Sequence, residues 1–314
     1  MAIAEPTVEQ FASNPVAKYI VATRPPFLLA SLVPALIGIA SAYHAGVSIH
    51  LLAALLTVIG AVVVQAGINV LNDYYDALNG TDDANTGRVF PFTGGSRFIQ
   101  NGILTREQTA RFGFVLFGVT ALIGFILLPL SGAGLIAIGL IGLVIGWAYS
   151  APPLALNSHG LGELCVAVGF GSIIPLGADF VQRGAFDLLP LYAGAPFALL
   201  VANLLYINQF PDRIADAAAG KHHWVVRLGP HRARWGYLLM VLAAYGGLAG
   251  MALGGLLPLW CLLGLLALPL SLRASFELLR YAETPQRLAP AIQNTIGAML
   301  GQGLLVSVGL WIAA

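Results

Sequence analysis

Nine apolar stretches of roughly the length that crosses a bilayer recur between residue 26 and the C-terminus, and that recurrence leaves few folds open. A hydrocarbon core of about 30 Å takes about 20 residues of helix, and residues 26–44, 51–73, 111–130, 133–150, 162–181, 188–210, 234–254, 256–275 and 292–313 meet that need to within a few residues. Only 9% of the 314 residues are charged, where soluble domains carry about 25%. In lipid every backbone polar group must be satisfied inside its own segment, so apolar runs of this length become helices. The expected fold is all-α, a polytopic membrane protein with nine transmembrane helices in a single domain over 1–314.

The basic residues test that count. With nine spans, Lys18, Arg24, Arg88, Arg97, Arg106, Arg111, Arg213, Lys221, Arg227, Arg232, Arg234, Arg273, Arg280 and Arg287 fall on one side. Only Arg183 falls on the other. The positive-inside rule then sets the N-terminus in the cytoplasm and the C-terminus outside. An extra or missing span would scramble this segregation. The two long connections, about 74–110 and 211–233, lie on the cytoplasmic side, and loops of that length are usually functional or disordered. Their density of glycine, aromatic and charged residues favours function. A net charge of +1 gives no reason to expect nucleic acid, and no segment points to a protein partner.

Acidic residues concentrate where those connections begin. Asn69, Asn72, Asp73 and Asp76 are spaced to share one helical stripe. Asn79–Gly80 should break that helix, leaving Asp82 and Asp83 to fold back over the stripe. Asn208, Asp212 and Asp216 share a face in the same way. The Asn-to-Asp interval of four recurs 136 residues later, which suggests an internal repeat relating spans 1–4 to spans 5–8. Clustered carboxylates repel and raise one another's pKa. A divalent cation removes that penalty, and an oxygen-only donor set suits Mg²⁺ held jointly with substrate phosphates. The alternative, solvated helix ends, fits poorly, because acids are disfavoured at helix C-termini.

Cations answer the acids. Gly94, Gly95, Ser96 and Arg97 join backbone able to approach phosphate with a guanidinium that grips it; Lys221 and Arg227 follow the second cluster. Together they describe a Mg²⁺–diphosphate site opening onto a lipid-facing cavity. The matching substrate is a diphosphate with a long apolar tail, delivered from the membrane lipid.

The segments Arg24–Pro25, Asn72–Asp82, Gly94–Gly102, Tyr149–Glu163 and Asn208–Gly229 together resemble the UbiA superfamily of intramembrane prenyltransferases. They are most similar to its 1,4-dihydroxy-2-naphthoate polyprenyltransferase branch. The resemblance implies nine helices around a central cavity capped by two cytoplasmic loops, Mg²⁺, a polyprenyl diphosphate donor and an aromatic acceptor. By matched position it implies that Asn72, Asp76, Asp82, Asp212 and Asp216 hold metal and diphosphate, with Asp73, Asn208, Arg97, Lys221 and Arg227 as companions. Asp76, Asp212 and Asp73 are then the catalytic candidates. It implies menaquinone biosynthesis at a bacterial inner membrane. A 4-hydroxybenzoate or other aromatic acceptor is the alternative within the family, and a secondary transporter the alternative outside it.

The remaining polar residues receive separate readings. Tyr149 can shield a cation or touch the diphosphate, or sit as an interfacial tyrosine. Asn157 and His159 are placed to reach the acceptor or, the favoured reading, to serve as plain loop residues, and His222 and His223 read as solvated. Glu163 is open between a structural and an acceptor-binding role. Asp179 and Asp187 are expected at the outer interface. Cys165 and Cys261 read as packing residues. The N-terminal segment lacks the basic start of a signal peptide. Thr7 and Gln10 suggest a capping box there, with Val8 and Phe11 towards the membrane.

Overall fold

The structure, a computed structural model, describes residues 5–314. It contains helices and connecting turns, with no strand among the described residues. After a short helix α1 (Ala17–Ala22) come α2 (Pro25–His44), α3 (Leu51–Asn79), the single turn α4 (Thr81–Ala84), α5 (Arg106–Ser131) and α6 (Gly134–Ser150). Then follow α7 (Gly162–Arg183), α8 (Leu189–Ala218), the short α9 (Trp224–Leu228), α10 (Pro230–Leu253), α11 (Leu259–Tyr281) and α12 (Ala289–Ile312). Among the described residues eight helices are long and apolar enough to cross a membrane, and α6 is a shorter apolar helix of 17 residues. These nine coincide with the nine apolar stretches. The protein is an integral membrane protein.

Helix ends differ from expectation in one informative way. The apolar stretch ends at 73, and α3 carries on to Asn79, where Gly80 closes it in the left-handed region at φ 81°. The acidic stripe is therefore helical, and the break falls at Asn79–Gly80 as expected. The sixth span does not stop at 210. Pro196 and Pro211 both lie inside α8, which continues to Ala218. Buried membrane helices tolerate proline because neighbours satisfy the freed carbonyl. The expected 211–233 loop is thus mostly helix, with residues 219–223 and Gly229 outside it.

One large core joins α2, α8, α10, α11 and α12 around Phe197, Phe210, Tyr237, Ile292 and Met299. Within it Asn203 donates to the Tyr237 carbonyl at 3.1 Å, and the Tyr206 hydroxyl to that of Ala233 at 2.8 Å. Helices touch backbone to backbone where glycine allows. A Cβ built at Gly38 would lie 2.2 Å from the Pro175 carbonyl oxygen, and one at Gly194 2.2 Å from that of Gly171. Small residues permit this closeness, which drives association in lipid where no hydrophobic force acts between helices.

Three minor expectations are corrected. Asp179 is fully buried, not interfacial, because Arg183 grips it through two hydrogen bonds of 2.8 and 2.7 Å. Phe11 packs on Phe98, with ring centroids 5.4 Å apart, rather than on the membrane. Of the capping box only one half forms, Thr7 N–H to Gln10 Oε1 at 3.1 Å.

Candidate active site

The α3–α5 connection folds back over the end of α3. Gly95 sits against the acids: a Cβ there would lie 2.7 Å from Asp82 Oδ2 and 3.0 Å from Asp73 Oδ1. Its φ of +73° independently favours glycine. The Ser96 amide faces both Asp73 oxygens at 3.3 Å. Asp73 also pairs with Arg24, which sits just before α2 in the left-handed region at φ 58°, a strained conformation for a residue with a side chain. The same strain recurs at Arg97, φ 68°.

Beneath this cover lies a cavity of about 270 Å³. Its acidic end is lined by Asn72, Asp76 and Asp82 from α3–α4, and by Asn208, Asp212 and Asp216 from α8. The two segments that share the Asn-to-Asp interval therefore face one space. Asn85 donates to Asp212 at 2.7 Å and the Gly94 amide to the same carboxylate at 3.3 Å. Asn72 donates to Asp76 and to Ser150 Oγ, both at 3.1 Å. Lys221 is buried between the clusters, its Nζ 2.7 Å from Asp76 Oδ1 and 3.3 Å from Asp216 Oδ1. Burial alone would lower its pKa; the adjacent Asp76 and Asp216 carboxylates outweigh burial and hold it above the usual lysine value. Burial, followed by the charge of Asp76, pushes the Asp82 carboxyl up to about 7, against the pull of Arg24, Lys221 and Arg97.

The donor set fits a hard cation. Among the described residues no three His, Cys, Asp or Glu side chains converge as a self-sufficient chelate. Asp82 Oδ2 is buried with no hydrogen-bond partner. Two carboxylate walls that each leave coordination incomplete suit Mg²⁺, which keeps waters and takes substrate phosphates. Lys221 already marks where positive charge is held between them.

Not every candidate reaches the cavity. Tyr149, Asn157, Asn208 and Lys221 line it; Asp73, Arg97 and Arg227 do not. Arg97 turns to the Asp82 carbonyl and towards Glu5. Arg227 is exposed and donates to the His159 carbonyl at 2.9 Å, bracing the 156–160 turn. His223 was expected in solvent and is instead 2% exposed, lining the cavity with Nε2 3.1 Å from Asp216 Oδ2. His222 is exposed as expected. Arg24, Asn85 and Gln65 also line the cavity without having been chosen from the sequence; only Arg24 had a signal, its Arg–Pro pair. Glu163 accepts from Gln209 at 2.7 Å, which accounts for a structural role.

Away from the acids the cavity is walled by apolar residues such as Phe27, Ile68, Phe170 and Leu204. It therefore joins an end lined by carboxylates and a lysine to an oily compartment, the arrangement a water-sensitive electrophile needs.

Comparisons with known proteins agree with this fold. The chain is 32% identical over 296 residues to 1,4-dihydroxy-2-naphthoate octaprenyltransferase of Mycobacterium tuberculosis (strain ATCC 25618 / H37Rv), covering 94% of this chain and 97% of that protein. It is 28% identical to the protein of the same name from Escherichia coli (strain K12), covering 92% and 94%. A solved UbiA homolog from Archaeoglobus fulgidus, bound to GPP and Mg²⁺, superposes with a TM-score of 0.60 at 15% identity, over 92% of this chain and 99% of that one. A structure described as digeranylgeranylglyceryl phosphate synthase superposes with a TM-score of 0.63 at 16% identity, over 95% and 99%. The model of the UbiA prenyltransferase family matches residues 31–296, and the chain belongs to that family.

Proposed function

We propose that this prenyltransferase moves a polyprenyl group from polyprenyl diphosphate to 1,4-dihydroxy-2-naphthoate, a step of menaquinone synthesis. The observation that carries the reading is one apolar cavity whose end is formed by two acidic segments, α3–α4 and α8, joined by Lys221. The names of the bacterial relatives support the acceptor.

Asn72, Asp76, Asp82, Asp212 and Asp216 would hold Mg²⁺ and through it the diphosphate. When bound, the ion supplies charge neutralisation on the departing diphosphate. Lys221 adds a fixed positive charge at the same place. Such preorganised charge is commonly the largest catalytic contribution. The allylic C–O bond breaks with both electrons leaving on the diphosphate. The ring carbon bearing the carboxylate attacks the allylic carbon, and that carboxylate leaves as CO₂. Tyr149, at the end of α6, lines the cavity and would shield the cationic carbon with its aromatic face. The apolar walls exclude the water that would quench it.

The same reading sets the acidic end in the cytoplasm of a bacterial inner membrane, with the C-terminus outside. It treats spans 1–4 and 5–8 of the single domain as an internal repeat. The test is purified protein with Mg²⁺, a labelled polyprenyl diphosphate and a panel of aromatic acids, products identified by mass. Prenylated naphthoquinol and free diphosphate are expected. Transfer only to 4-hydroxybenzoate would move the acceptor, and absence of diphosphate release would remove the reaction.

A further inference from the structure

Glu5, ahead of α1, stands where two arginines of the α3–α5 connection converge. Arg88 donates from Nε to Glu5 Oε1 at 2.7 Å, and Arg97 Nε lies 3.8 Å from Oε2. Asn101 completes the group, donating to Oε2 at 3.4 Å and to the Pro6 carbonyl at 2.9 Å. Partial burial pushes the Glu5 carboxyl up. The hydrogen bonds from Arg88 and Asn101 and the two guanidinium charges outweigh it and hold the group below the usual carboxylate value. Apolar packing seats the same segment. Phe11 lies on Phe98, and Tyr19 and Ala22 join Ile103 and Leu104 in one small cluster.

Each arginine has a second contact, and the two lead to different acidic walls. Arg88 clasps the Asn85 carbonyl, and Asn85 donates its side-chain amide to Asp212 Oδ1 at 2.7 Å. The stem of Arg88 also fills the space over Gly94, where a Cβ would lie 2.6 Å from Arg88 Cδ. The Gly94 amide donates to the other Asp212 oxygen at 3.3 Å. Both oxygens of Asp212 are thus held by residues that Arg88 touches. Arg97 instead donates to the Asp82 carbonyl on the first wall. It does so at φ 68°, a strained conformation that persists only where the surroundings over-determine it. Without Glu5 the two like charges would oppose each other across the cover.

We propose that Glu5 is a positioning residue for the acidic site, its one carboxylate holding Arg88 and Arg97 so that Asp212 and Asp82 stay aimed at a shared cation and diphosphate. The inference rests on the proposed two-wall reaction and adds a residue that reaches neither the cavity nor the substrate. Glu5 acts at two removes, through Arg88 and Asn85 on one wall and through Arg97 on the other.

The test uses the full chain as wild type, Glu5→Gln, Glu5→Ala, Arg88→Ala and the double variant Glu5→Ala with Arg88→Ala. Glu9→Gln, an exposed acid of the same segment, is the control. In metal-free protein, amide hydrogen exchange over residues 93–98 should be severalfold faster in Glu5→Gln and unchanged in Glu9→Gln. The Mg²⁺ concentration for half-maximal transfer should rise about tenfold in Glu5→Gln, the lower end of what loss of a supporting contact to metal ligands costs. The rate at saturating Mg²⁺ should fall less. The double variant should be no worse than Arg88→Ala, because residues acting in one chain of contacts are not additive. Unchanged exchange in Glu5→Gln overturns the proposal, as do additive losses in the double variant. So does a lowered melting temperature with an unaltered Mg²⁺ requirement, the mark of a merely structural contact. Exchange is read without substrate, so a protein that transfers no prenyl group and a Glu5 that holds no cover give different results.

Discussion

Lys221 reaches across from the end of the second acidic segment to place its Nζ 2.7 Å from Asp76 of the first, 145 residues away in sequence. The ammonium neutralises carboxylates that would otherwise face each other across the cavity. Lys221→Met should lower the thermal stability of metal-free protein, and added Mg²⁺ should recover much of it. Turnover should fall by about 10²-fold, as for other single preorganised charges. Calorimetry with and without Mg²⁺, alongside donor kinetics, checks both; equal stability in the two metal-free proteins would contradict the neutralising role.

Asp76→Asn and Asp212→Asn should each reduce prenyl transfer by about 10²–10³-fold, because in the proposed mechanism the two walls act on one diphosphate and neither suffices alone. Arg273→Ala, at a side chain 70% exposed and away from the cavity, serves as the control. The measurement is single-turnover transfer by each purified variant. If either Asp variant retained a tenth of the wild-type rate, the two-wall mechanism would fail.

Asp82 gives a pH dependence of defined sign. Its carboxyl is raised from 3.8 to about 7, by burial first and by Asp76 second. A group raised in the folded state binds its proton more tightly there than in the unfolded chain. The associated stability is fully present below the unfolded value and is lost as pH rises through about 7. Metal-free protein should therefore melt lower at pH 8 than at pH 5 in melting curves. Asp82→Asn should flatten that difference; an identical slope in the variant would remove Asp82 as its source.

Arg183→Ala tests a structural pair remote from the chemistry. Asp179 is fully buried and receives two hydrogen bonds from Arg183. Stranding a buried carboxylate typically costs about 3–5 kcal/mol. The variant should unfold more easily while its folded fraction turns over substrate as wild type does. A melting temperature within a degree or so of wild type would show that solvent or another group already satisfies Asp179, since about 1 kcal/mol moves a domain this large by roughly 2 °C.

The proposed orientation rests on nine crossings, which would leave fourteen of the fifteen basic residues on one side. A reporter fused after Ala314 that works only outside the cytoplasm should be active, and one that works only inside should be silent. The reverse pattern would mean that one apolar helix, with the 17-residue α6 the first suspect, does not cross.

The helices were legible because the bilayer leaves long apolar runs little choice of structure. That Asn72 shares a stripe with Asp76, and Asn208 with Asp212, was legible because a four-residue interval on a helix keeps both groups on one face. What failed depended on tertiary placement. Pro211 looks like a stop, yet α8 is packed well enough to carry it. Lys221–His222–His223 reads as a polar turn, but the chain doubles back so that alternate residues of it are buried against Asp216. Arg97 and Arg227 stand beside the acids in sequence, while their side chains serve loop carbonyls. Charge density along the chain indicates where a site is, and only folding decides which charges enter it.

The bare backbone contacts between helices have a consequence for how this chain tolerates change. At Gly38, Gly194 and Gly309 a single added carbon would sit 2.2–2.4 Å from a carbonyl oxygen of another helix or segment, at Pro175, Gly171 and Trp260 respectively. None of the three lines the acidic site. In a saturation-mutagenesis map these positions should nonetheless be as intolerant as the aspartates, with even alanine rejected. The lipid-facing leucines of α5 and α10 should accept almost any apolar residue. Selection on this protein would thus act twice over, on oxygen atoms at one end and on missing carbon atoms throughout.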